Sequence, residues 1–376
     1  MLGIRACLAV FLVTLTNFAL ADVVLDWNEA GVKAIAAERI GPPEGARIMA
    51  MMHFAMYEAI KEARGESPEA AGAAAARVVL DETIPQQKQQ WASMAQPSAI
   101  GERAGRRCLE MRARDGVGAA NLYRPVTTPG KYVPTMLPVS YDWQVVKPWF
   151  LSTPSQFRPE PPPALTSAAW ARDYNEIKAY GVKDNSKRSA FQTETARFWS
   201  IVGIASWNSI VRSLATSQPR SLIDNARLFA LVNMAATDAF VAVFDAKYAY
   251  QLWRPVTAIR NGDIDGNDAT EIDPAWEPFI PTPMHPEYPC AHCITASAVA
   301  TVLESEFGEG EVAPMVSTST AVPGVTHRWT RIRDYVDEVS NARVWGGMHY
   351  RTSTEVGRRM GRDIGMLAVK ALPKQP

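Results

Sequence analysis

Apolar residues recur at helical spacing through most of this chain, and that periodicity restricts the possible folds more than any other feature. Between positions 46 and 63, one helical face carries Ile48, Met52, Ala55, Met56 and Ala59. Such spacing predicts an amphipathic helix, whereas the alternation typical of β-strands is weak along the sequence. The pattern therefore predicts an all-α fold in which helices bury their apolar faces against one another.

The same reasoning assigns helices along most of the chain. They are expected at 46–63, 71–80, 103–114, 166–180, 189–214, 221–253, 291–307, 331–343 and 352–371. Thr166 or Ser167 can cap the fourth of these helices, and Gly181 can end it. Two segments, 121–165 and 260–289, are interrupted by proline and glycine and are predicted to be loops. The first of them carries too many aromatic residues to be disordered.

The first 21 residues have the features of an export signal. Arg5 supplies a positive charge, residues 6–18 are almost all apolar, and the small residues Ala19 and Ala21 precede Asp22. The apolar stretch is shorter than the roughly 20 residues of a membrane span, although an uncleaved anchor is the alternative. We therefore expect a signal peptide at 1–21, a single helical domain at 22–376, no stable membrane span after cleavage, and a periplasmic or secreted location.

Charge and cysteine content argue against several classes of protein. The 39 basic and 39 acidic residues balance, whereas a nucleic-acid-binding protein usually has a basic excess. Cleavage of the signal would remove Cys7 and leave Cys108, Cys290 and Cys293, too few for a disulfide framework. The last two have C-x-x-C spacing, but no second pair follows, so a zinc site is not expected. The oligomeric state is left open.

Three groups of basic and imidazole side chains lie between residues 240 and 350. They are Lys247 with Arg254, His292 after Pro289, and Arg343 with His349. Guanidinium groups donate paired hydrogen bonds to oxyanions, and lysine supplies a compact positive charge. If the groups meet, they form a site for a tetrahedral anion with a histidine available for chemistry.

The spacing within each group predicts how its side chains are presented. Lys247 and Arg254 are seven residues apart, so we place both on one face of a helix that Pro255 ends. His292 lies near the start of a helix, where free N–H groups favour anions. A solvated basic face and a capping or core histidine are the simpler alternatives.

Two adjacent glycines separate the members of the third group. Arg343 and His349 would point in different directions on one unbroken helix. We expect Gly346 and Gly347 to break the helix and turn His349 back towards Arg343. The alternative is an ordinary turn without a binding role.

The order Lys-x6-Arg-Pro, Pro-x-x-His and Arg-x5-His closely resembles the superfamily of vanadium-dependent haloperoxidases and type 2 phosphatidic acid phosphatases. Further similarity to its bacterial haloperoxidase-like branch lies at 27–30, 52–57, 123–125, 156–159 and 253–260. The resemblance implies an all-helical fold built around two four-helix bundles, which agrees with the class predicted from periodicity.

The resemblance also implies a role for each residue of the three groups. Lys247, Arg254 and Arg343 would hold the equatorial oxygens of vanadate or phosphate. His349 would bond the central atom, as vanadate ligand or phosphate nucleophile, and His292 would be the acid–base group at the opposite apex. The other positions implied to bind the oxyanion are Cys290, Ala291 through its backbone N–H, and Gly347.

Two positions depart from the pattern of the superfamily. Cys290 replaces the usual serine, and peroxide or hypohalous acid oxidises accessible thiols, which argues against sustained haloperoxidase turnover. Ser353 stands where some members carry an aspartate, so the residue that orients His349 is not identified. Asp238 and Asp245 are candidates to orient one of the two histidines.

Three functions follow from these residues. The first is a haloperoxidase that uses vanadate, a halide and hydrogen peroxide; the second is a vanadium-free phosphatase that hydrolyses phosphomonoesters through a phosphohistidine. The third is a non-catalytic oxyanion-binding protein. Of the remaining histidines, His53 is predicted to be a core residue and His285 to line the mouth of the pocket.

Overall fold

The computed structural model describes residues 22–94, 96–134, 136–201 and 203–374. The predicted signal peptide at 1–21 lies outside the described residues. Within them, twelve α-helices make up most of the structure, and one antiparallel hairpin contains the strands. The predicted all-α class is confirmed.

Helices α1 to α7 occupy the first part of the chain. Their bounds are α1 (Val23–Ala37), α2 (Pro42–Glu62), α3 (Pro68–Thr83), α4 (Ala99–Arg112), α5 (Ala168–Tyr180), α6 (Ala190–Phe198) and α7 (Ile204–Ala215). The rest are α8 (Leu222–Tyr250), α9 (Pro255–Arg260), α10 (Ala291–Phe307), α11 (Ile332–Trp345) and α12 (Arg351–Ala371). The hairpin, β1 (Glu311–Thr318) and β2 (Thr326–Arg331), connects α10 to α11.

Serine side chains begin many of these helices. A serine hydroxyl accepts a hydrogen bond from a backbone N–H of the first turn at Ser67, Ser98, Ser167, Ser189 and Ser221. Such caps satisfy donors that the helix itself leaves unpaired. The predicted start of α5 at Ser167 is thereby confirmed, and Gly181 follows its last residue.

Helix α8 lies at the centre of the molecule. Every residue from 225 to 248 is buried, so the helix has no solvent-exposed face over this length. It is long and apolar enough to cross a membrane by composition, but its apolar window is wholly covered by other parts of the protein. Helix α2 packs on α8, as do α10 and α12. The helix therefore joins an N-terminal group of helices to a C-terminal group.

Helices α10 and α12 are packed unusually closely. Gly357, Gly361 and Gly365 recur at every fourth residue of α12 and face α10. A Cβ atom at Gly361 would lie 2.2 Å from the carbonyl oxygen of Ile294. The absence of side chains at these positions allows the two backbones to approach and fixes the start of α10 beside the start of α12.

One predicted helix was wrong in its extent, and the hairpin was missed. The helix expected at 189–214 is two helices, because the buried Trp199 ends α6 and its indole N–H donates to Glu338. The hairpin was not predicted, since its strands are short and the buried face of β2 includes His327 beside Trp329. A mixed polar and apolar inner face weakens the alternation that identifies strands.

Candidate active site

The three groups of basic and imidazole side chains converge near the end of α8. Lys247 comes from the last turn of α8, Arg254 precedes α9, His292 lies in the first turn of α10, Arg343 in the last turn of α11, and His349 just before α12. The two arginines and Lys247 are at most 1% exposed. The other four of these five side chains all lie close enough to His349 to lower its pKa. The sequence thus identified residues that the fold does bring together.

Lys247 and Arg254 reach the site by a route that differs from the prediction. Helix α8 ends at Tyr250, and Gln251 adopts a left-handed backbone with φ of 53°. Pro255 begins α9, a position that suits its fixed φ, instead of ending the preceding helix. The two basic residues therefore lie on separate elements, and the expectation of one shared helical face was wrong.

Backbone carbonyls hold both of these cations. The Lys247 ammonium donates to the carbonyls of Pro286 and Glu287 at 2.9 and 2.7 Å. Arg254 donates through Nε to the His285 carbonyl at 2.8 Å and through Nη1 to the Met348 carbonyl at 3.0 Å. These bonds orient the side chains without neutralising their charge.

His349 is oriented by Glu287. Its Nδ1 lies 2.8 Å from Glu287 Oε1, and both side chains are buried. The backbone N–H of Tyr350 donates to the same oxygen at 3.0 Å, so we assign Oε1 as the acceptor and the proton to Nδ1. Nε2 then carries the lone pair and accepts a long hydrogen bond from Nη1 of Arg254 at 3.4 Å. A neutral imidazole with its lone pair at Nε2 can serve as a ligand or a nucleophile if it exchanges this long contact.

The two aspartates proposed as orienting residues do not contact either histidine. Asp238 accepts the backbone N–H groups of residues 149–151, at 2.7, 2.7 and 3.0 Å. Asp245 forms a paired salt bridge with Arg158, with its nearest contact at 2.7 Å. Both aspartates therefore anchor the loop predicted at 121–165, and their assignment as orienting residues was wrong.

Glu287 was missed by the sequence analysis. It lies between Pro286 and Tyr288 in a loop, 62 residues before its partner His349. No periodicity or motif connects residues at that separation. The one available signal was an acidic residue within an otherwise proline-rich and aromatic segment directly before His292.

Burial dominates the electrostatics of the site. It shifts the pKa of Glu287 upward, while the neighbouring Lys247 and Arg254 favour the charged form and oppose the shift. Burial and the nearby cations lower the pKa values of His292 and His349 well below the ordinary value, so both imidazoles are neutral at pH 7.

The cations also disfavour one another. Burial, followed by Arg254, lowers the pKa of Lys247, and burial lowers that of Arg343 to about 10. Glu287 is the acidic neighbour of Lys247 and Arg254, whereas Arg343 contacts the Trp199 carbonyl and the Met348 sulfur. An anion bound among the cations would offset the cost of burying their charge.

A cavity of about 230 Å³ opens onto the imidazoles. Four basic or imidazole side chains line it, those of His285, His292, Arg343 and His349, together with Pro42, Pro43, Val139, Ser140, Phe240, Phe244, Pro283, Ala291 and Thr295. His285 thus lines the cavity as predicted. In the described part of the chain, Nε2 of His292 and Nε of Arg343 are buried and have no hydrogen-bond partner. Unpaired polar atoms beside a cavity indicate a polar ligand.

The other predicted oxyanion-binding positions differ in their surroundings. Ala291 lines the cavity, whereas Cys290 is fully buried outside the residues that line it. The Cys290 thiol caps α10 by accepting the Cys293 N–H at 3.3 Å, and both are free thiols. The Gly347 N–H already donates to the Val344 carbonyl at 2.9 Å, so the structure gives that amide no role in binding an anion.

The glycine pair does form the predicted turn. Gly346 follows α11, and Gly347 has a φ of 79°, which favours glycine. The chain reverses there, and the His349 N–H bonds to the Arg343 carbonyl at 3.3 Å. The turn back towards Arg343 is confirmed.

Comparisons with known proteins agree with this geometry. Residues 227–375 match the family described as the VCPO second helical-bundle domain. Vanadium chloroperoxidase from Curvularia inaequalis is 27% identical in an alignment 183 residues long, which covers 40% of this chain and 29% of that protein. The chain therefore spans less than a third of the length of this curated relative.

Two crystal structures are similar over most of the chain. A bacterial vanadium-dependent iodoperoxidase superimposes with a TM-score of 0.79 and 24% identity, covering 93% of this chain and 96% of the other. The apo form of a bacterial vanadium-dependent chloroperoxidase gives 0.75 and 16%, with coverage of 89% and 94%. The chain thus has the helical fold of these bacterial vanadium-dependent haloperoxidases, which agrees with the fold that the resemblance implied.

Proposed function

We propose that this protein is a vanadium-dependent haloperoxidase that oxidises a halide with hydrogen peroxide. The observation that carries the proposal is the environment of the two ring nitrogens of His349. Glu287 holds its Nδ1, and its Nε2 is directed into a buried cluster of cations. Relatives and structural neighbours described as haloperoxidases support the same function.

The residues present fit a vanadate ion. His349 would be its ligand through Nε2, and the basic side chains of Lys247, Arg254 and Arg343 would hold its oxygens. The unpaired Nε of Arg343 and Nε2 of His292 are the polar atoms that such an anion would satisfy. When bound, vanadate supplies a Lewis-acidic centre that activates peroxide towards a halide.

His292 is placed to move the proton of this reaction. Halide, hydrogen peroxide and one proton give hypohalous acid and water. A neutral imidazole at the cavity wall can accept a proton from incoming peroxide and return it to the departing oxygen. The apolar walls formed by Phe240 and Phe244 suit a weakly hydrated halide such as bromide or iodide.

A phosphatase is the second candidate, favoured by the same lone pair at Nε2 of His349. His349 would attack phosphorus, and His292 would protonate the leaving alcohol. The thiol argument against the haloperoxidase is weakened, because Cys290 is buried outside the cavity lining. Apolar walls also favour a small halide over a hydrophilic phosphomonoester.

We retain export to the periplasm or the exterior as a proposal based on residues 1–21.

Paired assays on one purified sample distinguish these functions. Bromide or iodide oxidation would be measured with and without added orthovanadate, beside phosphomonoester hydrolysis. We expect vanadate-dependent halide oxidation. Ester hydrolysis that vanadate inhibits would instead identify the phosphatase, and tight phosphate binding without either turnover would identify a binding protein.

Two substitutions test the assignment of the site. His349→Ala should abolish turnover under either enzymatic function, and Lys247→Ala should weaken phosphate or vanadate affinity. Lys131→Ala is a matched control, since Lys131 also donates to a backbone carbonyl, that of Tyr250, but does not line the cavity. Full activity of the His349 variant would refute the assignment.

A further inference from the structure

The carboxylate of Glu338, on α11, accepts hydrogen bonds from three aromatic side chains. The indole N–H of Trp199 donates to its Oε1 at 2.8 Å, and that of Trp329 to its Oε2 at 2.9 Å. Nδ1 of His327 lies 2.5 Å from Oε1, and we assign it as a donor because an ionised carboxylate only accepts. The donors come from the end of α6 and from β2, so one side chain of α11 binds two other elements.

Solvent has little access to these four side chains. Trp199, Trp329 and His327 are 0%, 5% and 8% exposed, and the side chain of Glu338 is 15% exposed. Burial opposes ionisation of the Glu338 carboxyl, but the three hydrogen bonds outweigh it and lower its pKa below the ordinary value. Glu338 is therefore charged at neutral pH, and hydrogen bonds to a charged group are stronger than those between neutral groups.

Trp199 connects Glu338 to the candidate active site. It directly follows α6, so its carbonyl has no donor within that helix. This carbonyl accepts a hydrogen bond from Nη1 of Arg343 at 2.7 Å. Trp199 is thus held to α11 at two points, with its indole bonded to Glu338 and its carbonyl to Arg343.

The contact with Trp199 sets the direction of the Arg343 guanidinium. Nη2 of Arg343 donates to the sulfur of Met348 at 2.9 Å, and thioether sulfur is a weak acceptor compared with a backbone carbonyl. Glu338 and Arg343 are five residues apart on α11, so their side chains leave the helix about 140° apart. Glu338 therefore acts on the guanidinium through Trp199 and not by direct contact.

We propose that Glu338 is a positioning residue of the candidate active site and fixes the Arg343 guanidinium through Trp199. The hairpin takes part, because β2 supplies the other two donors that hold the carboxylate. The consequence for anion binding rests on the proposed function, in which Arg343 holds oxygens of vanadate. The contacts that link Glu338 to Arg343 do not depend on that function.

Arginine spectra of the full protein test the positioning without an anion. With ¹⁵N-labelled arginine, Arg343→Ala identifies the signals of Arg343. We expect Glu338→Gln to shift these signals, because the amide places a donor opposite a donor and weakens the hold on Trp199. Trp199→Phe should shift them too, since it removes the indole donor and keeps the carbonyl. Unshifted signals in both variants overturn the proposal.

Phosphate binding tests the consequence for the site. Isothermal titration calorimetry with inorganic phosphate should show affinity reduced about two- to tenfold in Glu338→Gln, the effect of one lost hydrogen bond. In an Arg343→Ala background the same substitution should change nothing further, because the guanidinium that it positions is gone. An equal loss in both backgrounds would indicate a general loosening of the fold and would overturn the positioning role.

The Arg343→Ala variant also separates this proposal from the proposed function. Phosphate affinity equal to that of the wild type in Arg343→Ala would refute the anion site itself, and with it the effect of Glu338 on binding. Weaker binding in Arg343→Ala beside unchanged binding in Glu338→Gln would overturn the role of Glu338 alone.

Glu306→Gln is the matched control. Glu306 is also a buried carboxylate with strong donors, Arg220 at 3.0 Å and Arg227, and it does not line the cavity. Its substitution should lower the denaturant midpoint of unfolding but leave the Arg343 signals and the phosphate affinity unchanged. The same spectral shift and loss of affinity in this variant would show that destabilisation alone produces them, which would overturn the proposal.

Discussion

Single residues of the candidate site carry charge where solvent cannot screen it. Lys247, Arg254 and Arg343 are all buried, and backbone carbonyls hold each of them. Glu287 is the carboxylate in contact with the reactive imidazole of His349. Because the fold fixes each of these groups, the proposed anion would meet a preorganised set of donors.

Replacement of Glu287 by glutamine should lower turnover about 10- to 100-fold, as loss of a residue that orients a ligand histidine generally does. The amide keeps the size of the side chain but removes the charge that favours Nδ1–H of His349. Steady-state kinetics with circular dichroism measures this effect. Asp245→Asn should leave turnover unchanged, because Asp245 pairs with Arg158; equal losses in both variants would contradict the assignment of Glu287.

His53 should make the stability of the protein sensitive to acid. It is a core residue as predicted, with Nε2 2.9 Å from Asn28, and burial lowers its pKa to about 3. As pH falls below about 6.5, the unfolded chain binds a proton there and the folded chain does not. The contribution of His53 to the free energy of unfolding should therefore fall by up to about 1.4 kcal/mol per pH unit until the pH nears 3.

Urea titrations at several pH values between about 6 and 4 measure this dependence. A His53→Gln variant lacks the titrating group and should lose stability less steeply as the pH falls. Parallel slopes for the two proteins would show that His53 is not the source of the effect.

Pairs of elements position these residues through close contact. Helix α12 approaches α10 because its glycines at 357, 361 and 365 leave room for the α10 backbone. The starts of α10 and α12 lie beside His292 and His349 respectively. The separation of the two imidazoles is therefore set by the packing of these two helices.

Gly361→Ala should destabilise the protein by about 1–3 kcal/mol, the usual cost of overpacking a close contact. The new Cβ would lie 2.2 Å from the Ile294 carbonyl oxygen, which outweighs the better helix propensity of alanine. Denaturant unfolding measures the change. Gly203→Ala, where a Cβ meets nothing within 4 Å, should cost far less; a similar loss there would argue against the contact.

The whole molecule is organised around one helix that both halves share. Helix α8 is buried from 225 to 248, and α2 covers it together with α10 and α12. The segment that matches the second helical-bundle domain begins at residue 227, inside this helix. The apolar surface of α8 is thus covered partly by the N-terminal helices and partly by the C-terminal helices.

A fragment of residues 227–375 should not fold cooperatively alone. Removing α2 exposes one side of α8, and an exposed apolar face of that length favours association or a loosely packed state. Thermal unfolding and dye binding would test the fragment, with 22–226 added in trans as the control. A sharp transition for the isolated fragment would show that the C-terminal group is self-sufficient.

The sequence by itself determined the helical class, most helix positions and the five basic and imidazole residues that converge. Periodicity and capping are local, and the motifs lie within short segments, so both can be read without the fold. The tertiary structure alone decided that Glu287 orients His349, that Arg254 lies outside α8 in the residue before α9, and that Asp238 and Asp245 anchor a loop. These are contacts between distant segments, and a helical pattern specifies which face is buried but not which partner covers it.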